Sequence, residues 1–191
     1  MNKIKQVTVP EGSIGDYRVE KFTISEKEAG FYNINCHGRG VDSGTYTRLM
    51  RGTKCIMSDT FEEMRDHSEP IYRASGKCLI NGLGIGLVLK NMLDKKEVKH
   101  VTVIEISKEV IDLVGKYYIN KYKERVSIIN ANAYEWKPVK GMRYDVVWHD
   151  IWDNICSDNL PGMTKLHRKY GRICDWQGSW AKQECLRARG Y

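Results

Sequence analysis

Lys77-Cys78-Leu79-Ile80-Asn81-Gly82-Leu83-Gly84-Ile85-Gly86 is the stretch whose reading decides the fold. A short apolar strand, Cys78–Ile80, empties into a loop with glycine at 82, 84 and 86, and an apolar helical pattern follows. A second apolar strand, Val101–Ile104, ends on Glu105, 23 residues after Gly82. Strand, glycine loop, helix, strand and terminal acid make a βαβ unit suited to a nucleoside. Glycine lets the backbone approach a ligand with no Cβ in the way. A carboxylate at the end of the second strand can accept hydrogen bonds from both ribose hydroxyls. Lys and Ser/Thr do not follow the glycines, so this is not a phosphate-cradling P-loop. Glycines in such turns also serve packing alone, and it is the pairing with Glu105 that favours a ligand.

Outward from this unit the chain alternates. Strands are expected near 77–81, 101–105, 125–129 and 144–149, and helices near 85–94, 107–118 and 157–170. Val110, Ile111, Val114, Tyr117 and Tyr118 give the second helix one apolar face. The alternation predicts an α/β fold with a Rossmann-like parallel sheet over 76–191. Only 42 residues follow His149, so the sheet is expected to be truncated at the C-terminus or completed by a neighbouring chain. Cys174–Trp180 reads as a fifth strand or part of a helix, and its tryptophans as packing on the sheet or meeting a second copy.

Residues 1–75 read as a small β-rich N-terminal region with one helix. Val7–Val9 and Tyr17–Ile24 have strand character, and Thr45–Met50 and Lys54–Met57 flank Arg51-Gly52-Thr53 as a hairpin. Ser58 or Asp59 is expected to cap a helix running to about His67, stopped by Pro70. Gly30–Gly44 reads as a loop.

The 191 residues are 41% hydrophobic, enough for a core, and hold no apolar run long enough for a transmembrane helix. Met1–Gln6 lacks the apolar stretch of a signal peptide, and a cytoplasmic location is expected. The cysteines at 36, 55, 78, 156, 174 and 185 show no CxxC spacing and fit reduced thiols. Net charge is +7, much of it in Lys165, His167, Arg168, Lys169, Arg172, Lys182, Arg187 and Arg189. Such a basic C-terminal tail suits nucleic acid or another anionic partner, or is a solvated face. A homo-oligomer is left open.

Further candidates follow the later strands. Asp150 closes the strand Tyr144–His149, where doubly wound sheets place ligands. It can take a proton from an attacking amine or bind a cation. Trp148 and Trp152 can wall such a site. Asp153 either joins it or caps a helix. Asn132, after the third strand, either reads an adenine edge or makes a turn. His149 should point away from Asp150, because side chains alternate along a strand. No metal site is expected.

Lys77 to Asp153 resembles class I S-adenosylmethionine-dependent methyltransferases, and within them the spermidine synthase branch. Leu79–Gly86 looks like that branch's glycine loop, Val98–Ile106 like its ribose-binding strand, and Tyr144–Asp153 like its catalytic YDVIxxDxxD strand. The stretch Arg51–Pro70 is similar to the hairpin and helix that precede the branch's core domain, and the chain is also similar to short bacteriophage-encoded proteins of this kind. The resemblance implies that Gly82, Gly84, Gly86, Glu105, Ile106, Asn132 and Ala133 hold the adenosyl group of S-adenosylmethionine or its decarboxylated form. It implies that Asp150 activates an amine and that Asp153 binds it. Met57 stands at the family's glutamine, Phe61 at its amine-binding tyrosine, Asn132 at an adenine-binding acid and Asn154 at a proline.

The leading expectation is an S-adenosylmethionine-dependent methyltransferase of unidentified acceptor, a small molecule before a macromolecule. The alternatives are an aminopropyltransferase using the decarboxylated cofactor and a diamine, and a non-catalytic nucleoside- or partner-binding module. No D/N-P-P-Y/F stretch is present, which argues against amine methylation of DNA bases.

Overall fold

The computed structural model describes residues 3–35 and 40–190. Two sheets carry the fold. The first is antiparallel, in the order β1 (Gly12–Ile14), β2 (Tyr17–Ile24), β3 (Gly44–Arg51) and β4 (Lys54–Ser58). The β3–β4 hairpin turns at Gly52, whose φ of +58° lies in the left-handed region.

The second sheet has five strands in the order β7-β6-β5-β8-β9. These are β5 (Gly76–Asn81), β6 (Val98–Glu105), β7 (Val126–Asn130), β8 (Tyr144–His149) and β9 (Cys174–Ser179), and every neighbouring pair is parallel. The chain runs outward from β5 to β7 and then restarts on β5's other side with β8. The carboxyl ends of β5 and β8 therefore flank the switch point at which such sheets bind ligands. Cys174–Ser179 takes the strand alternative, so the sheet reaches five strands. Trp176 stacks on Trp148 at 6.3 Å, and both tryptophans of this segment pack on the sheet.

Helices α1 (Glu26–Asn35), α2 (Phe61–Asp66), α3 (Ser68–Arg73), α4 (Leu87–Leu93), α5 (Lys108–Val110), α6 (Lys116–Tyr122), α7 (Leu160–Tyr170) and α8 (Lys182–Ala188) complete the described chain. A π-helical turn, Ile111–Gly115, joins α5 to α6. Gly115 sits there against Ile128 and Leu83. None of these helices is long and apolar enough to cross a membrane.

One core runs through both sheets. Val7, Val9, Val19, Leu49 and Met57 pack with Cys78, Ile80, Val101, Val103 and Val146.

Several local expectations are corrected. Val7–Val9 forms no strand, but it docks through its buried valines and a Val7 N–H bond to Asp59 at 3.0 Å. Asp59 also accepts the Thr47 N–H at 2.6 Å. Its carboxylate is thus occupied by backbone, and Thr60 stands at the N-cap position of α2. Residues within Gly30–Gly44 include the second half of α1, and 36–39, with Cys36, lie outside the described residues. Pro70 does not stop the helical run. It occupies the first turn of α3, where an amide N–H has no intrahelical partner to lose.

Candidate functional site

The glycine loop is shaped by its neighbours. At Gly82, φ is +100°, and an added Cβ would lie 1.9 Å from the Asp150 carbonyl oxygen. The ends of β5 and β8 are therefore drawn together, with the Asp150 N–H donating to the Asn81 carbonyl at 2.7 Å. At Gly84, φ is +53°, and a Cβ would lie 2.3 Å from Met57 Sδ, which roofs the loop from β4. Gly86 does other work. A Cβ there would meet the Tyr118 ring at 2.1 Å, and Tyr118 donates to the Ile85 carbonyl at 2.9 Å. Gly86 lets α6 pack on the loop and does not line the cavity.

Glu105 is turned toward this loop. Its Oε2 accepts the Leu83 N–H and its Oε1 the Ser107 N–H, both at 2.8 Å. Each oxygen keeps a second lone pair for a ligand. Burial pushes the Glu105 carboxyl above its ordinary value, and the backbone donors oppose that. Asn130, absent from the sequence reading, donates to the carbonyls of Glu105 and Ile106 at 3.0 and 2.9 Å and fixes the ends of β6 and β7.

A cavity of about 480 Å³ opens beside these groups. Gly82, Gly84, Glu105, Ile106, Asn132, Ala133, Asp150 and Asp153 all line it. Ile106 is 69% exposed and offers an apolar face. Asn132 Oδ1 accepts the Tyr134 N–H at 2.9 Å, so the asparagine shapes a turn at the edge of the cavity that it lines. The opposite wall comes from the antiparallel sheet and α2: Tyr17, Leu49, Cys55, Ile56, Met57 and Glu63. Sequence reading did not place these, apart from Met57.

Asp150 lies at the floor, its side chain 14% exposed. Burial, then Glu63, Glu105 and Asp66, push its carboxyl well above the ordinary range. His67 stands behind it, fully buried, with Nε2 3.6 Å from Asp150 Oδ2. The sequence reading placed His67 only as the end of a helix. Burial pushes its pKa down to about 3 and holds it neutral. The spacing Glu63–His67, one helical turn, is the signal that could have placed it.

Asp153 is not open to the floor. Its Oδ2 pairs with Lys54 at 2.8 Å and Arg51 at 3.0 Å, both from the β3–β4 hairpin. The bond from Lys54, aided by the Arg51 charge, pulls its carboxyl below the ordinary value against some desolvation. His149 points away from the cavity, between Asn81 at 2.7 Å and Gln177 at 3.2 Å. Trp152 lines the cavity, whereas Trp148 is buried between His67 and Trp176 and does not. Two basic tail residues are drawn inward: Lys169 donates to the Ala133 carbonyl at 3.0 Å, and Lys165 lies over the Tyr134 ring. The described cysteines are free thiols, and no group of His, Cys, Asp and Glu among the described residues is arranged to hold a metal.

No family model matches this sequence, and no curated protein matches it. Among solved structures, spermidine synthase from Thermotoga maritima is similar over 87% of this chain and 52% of its own, with 19% identity and a TM-score of 0.50. The 23S rRNA methyltransferase ErmE is similar over 60% of this chain and 43% of its own, at 14% identity and a TM-score of 0.47. The CcbJ methyltransferase from Streptomyces caelestis is similar over 58% and 44%, at 16% identity and a TM-score of 0.45. The chain thus spans about half the length of these proteins or less. The Thermotoga likeness shows a shared Rossmann-like α/β fold, which does not by itself fix chemistry.

Proposed function

We propose that this chain is an S-adenosylmethionine-dependent transferase that methylates an amine acceptor. One observation carries the reading: Glu105, bonded to the glycine loop, lines the same cavity as Asp150. The residues present suit an adenosyl group. Glu105 has lone pairs for the ribose hydroxyls, the glycine loop lines the cavity at Gly82 and Gly84, and Ile106 supplies an apolar face for the base. When bound, the cofactor supplies an electrophilic carbon on a cationic sulfur.

The rest is positioning and proton handling by the chain's own groups. Glu63, Glu105 and Asp150 line the cavity, and this acidic lining favours a cationic ligand, which stabilises the ionised carboxylates. Asp150 at the switch point orients the acceptor nitrogen and takes its proton. Leu49, Ile56, Met57 and Trp152 exclude water from the reacting atoms.

Aminopropyl transfer is the second reading, favoured by the same acidic floor. The ion pairs of Asp153 with Arg51 and Lys54 weigh against it, because a diamine's second ammonium would have to displace two cations. Calorimetry with S-adenosylmethionine, its decarboxylated form, S-adenosylhomocysteine and methylthioadenosine tests both. Binding of the first and third supports methyl transfer. Binding restricted to the second and fourth supports aminopropyl transfer, and binding of none removes the enzymatic reading.

A further inference from the structure

We propose that His67 is a positioning residue and proton store for Asp150: its Nε2 takes up the Asp150 proton when a cationic ligand enters the cavity. This rests on the reading of the cavity as a site for a sulfonium cofactor. The geometry is specific. His67 is 0% exposed, and neither ring nitrogen has a hydrogen-bond partner. Orphaned polar atoms at such depth are costly and call for an explanation.

The groups around His67 supply one. Nε2 lies 3.6 Å from Asp150 Oδ2 and 3.8 Å from Glu63 Oε2, and the Trp148 ring meets the imidazole edge-on at 5.9 Å. The gap to Oδ2 exceeds a hydrogen bond by roughly half an ångström, a spacing that commonly tightens when a ligand binds. Asp66 and Glu105 add negative charge around Asp150.

In the free protein burial favours a protonated carboxyl beside a neutral imidazole. A cation in the cavity reverses the preference for the carboxyl, since it stabilises the carboxylate. The O–H bond at Asp150 Oδ2 then breaks and an N–H bond forms at His67 Nε2. The pair's proton count does not change, and Asp150 is left as an anion held by the imidazolium. The other carboxylate oxygen faces the acceptor.

Imidazole nitrogen-15 spectra of the wild-type protein test this directly. S-adenosylmethionine and S-adenosylhomocysteine share the adenosyl group, but only the first carries a positive sulfur. His67 is expected to be neutral in the free protein and with S-adenosylhomocysteine, and to become an imidazolium with S-adenosylmethionine. A neutral His67 in both complexes overturns the proposal and leaves the cofactor reading intact. Failure of both nucleosides to bind overturns the cofactor reading, and this proposal with it. Proton counting by calorimetry in two buffers of unlike ionisation heat adds a second readout. Wild-type protein should release almost no proton on binding S-adenosylmethionine, and His67→Gln about one. Equal release from both proteins would mean that His67 is structural only.

Discussion

Replacing Glu105 by alanine should damage both folding and ligand binding, by separable amounts. The side chain accepts the Leu83 and Ser107 N–H groups at 2.8 Å. Ser107 is half-buried, so water can replace the lost acceptor there. Leu83 is 5% exposed, and its N–H is left without one. A stranded buried donor costs about 1–3 kcal/mol, partly offset because a buried carboxylate no longer has to be desolvated. For a chain of this length that is a fall in Tm of roughly 2–10 °C. The ligand loses two ribose hydroxyl bonds to a charged acceptor, each worth about 1.5–3 kcal/mol. Together that is about 3–6 kcal/mol, so affinity for S-adenosylmethionine should drop on the order of a hundredfold at the lower values and ten-thousandfold at the upper. Urea melts give the first quantity. Calorimetry on protein kept well below its melting temperature gives the second. Glu105→Gln is the sharper control, since its amide presents one acceptor to two backbone donors and should also weaken both properties. A folded Glu105→Ala protein with wild-type affinity would refute the assignment of the ribose site.

Other substitutions separate chemistry from scaffold. Asp150→Asn should keep S-adenosylmethionine binding and abolish nucleoside-product release across a panel of amines; retained turnover would make Asp150 structural. Gly82→Ala drives a Cβ to 1.9 Å from a backbone oxygen and should cost more than about 3 kcal/mol or prevent folding, as read by circular dichroism. Asp153→Ala breaks half-exposed ion pairs and should change stability by less than about 1 kcal/mol in a urea melt. Stability should also have a particular pH profile. Unfolded, the Asp150 carboxyl and His67 imidazole titrate near 3.8 and 6.5; folded, the carboxyl is raised well above that value and the imidazole lowered to about 3. From pH 3.8 upward the raised carboxyl keeps a proton that the unfolded chain has lost, so its contribution to stability declines as pH rises toward its folded pKa; up to pH 6.5 the lowered imidazole, protonated only in the unfolded chain, opposes that decline. Urea midpoints against pH should show that decline in the wild type and not in Asp150→Asn.

The sequence revealed the central βαβ unit because its signals are local. Buried strands are continuous apolar runs, the glycines bracket a turn, and Glu105 ends a strand. The site's other wall was hidden because it has no local signal. Tyr17, Leu49 and Ile56 look like any strand residues, and only the packing of one sheet on the other brings them to the cavity. Helix α1 was missed because Gly30, Asn33 and Asn35 are poor helix formers, and its Phe31 and Ile34 point outward at 71% and 82% exposure. Strand β9 was ambiguous because Asp175, Gln177 and Gly178 interrupt any apolar pattern at this sheet edge. Asp153 was legible as an acid near the site, but not its partners, which lie about a hundred positions upstream in the chain.

The cavity's wall draws on chain positions as far apart as Tyr17 and Trp180. Such a vessel has no partial form. Contacts between segments so far apart in the chain close slowly. An occupant seated in the cavity would touch both, and would act as mortar that favours the assembled fold over the open chain.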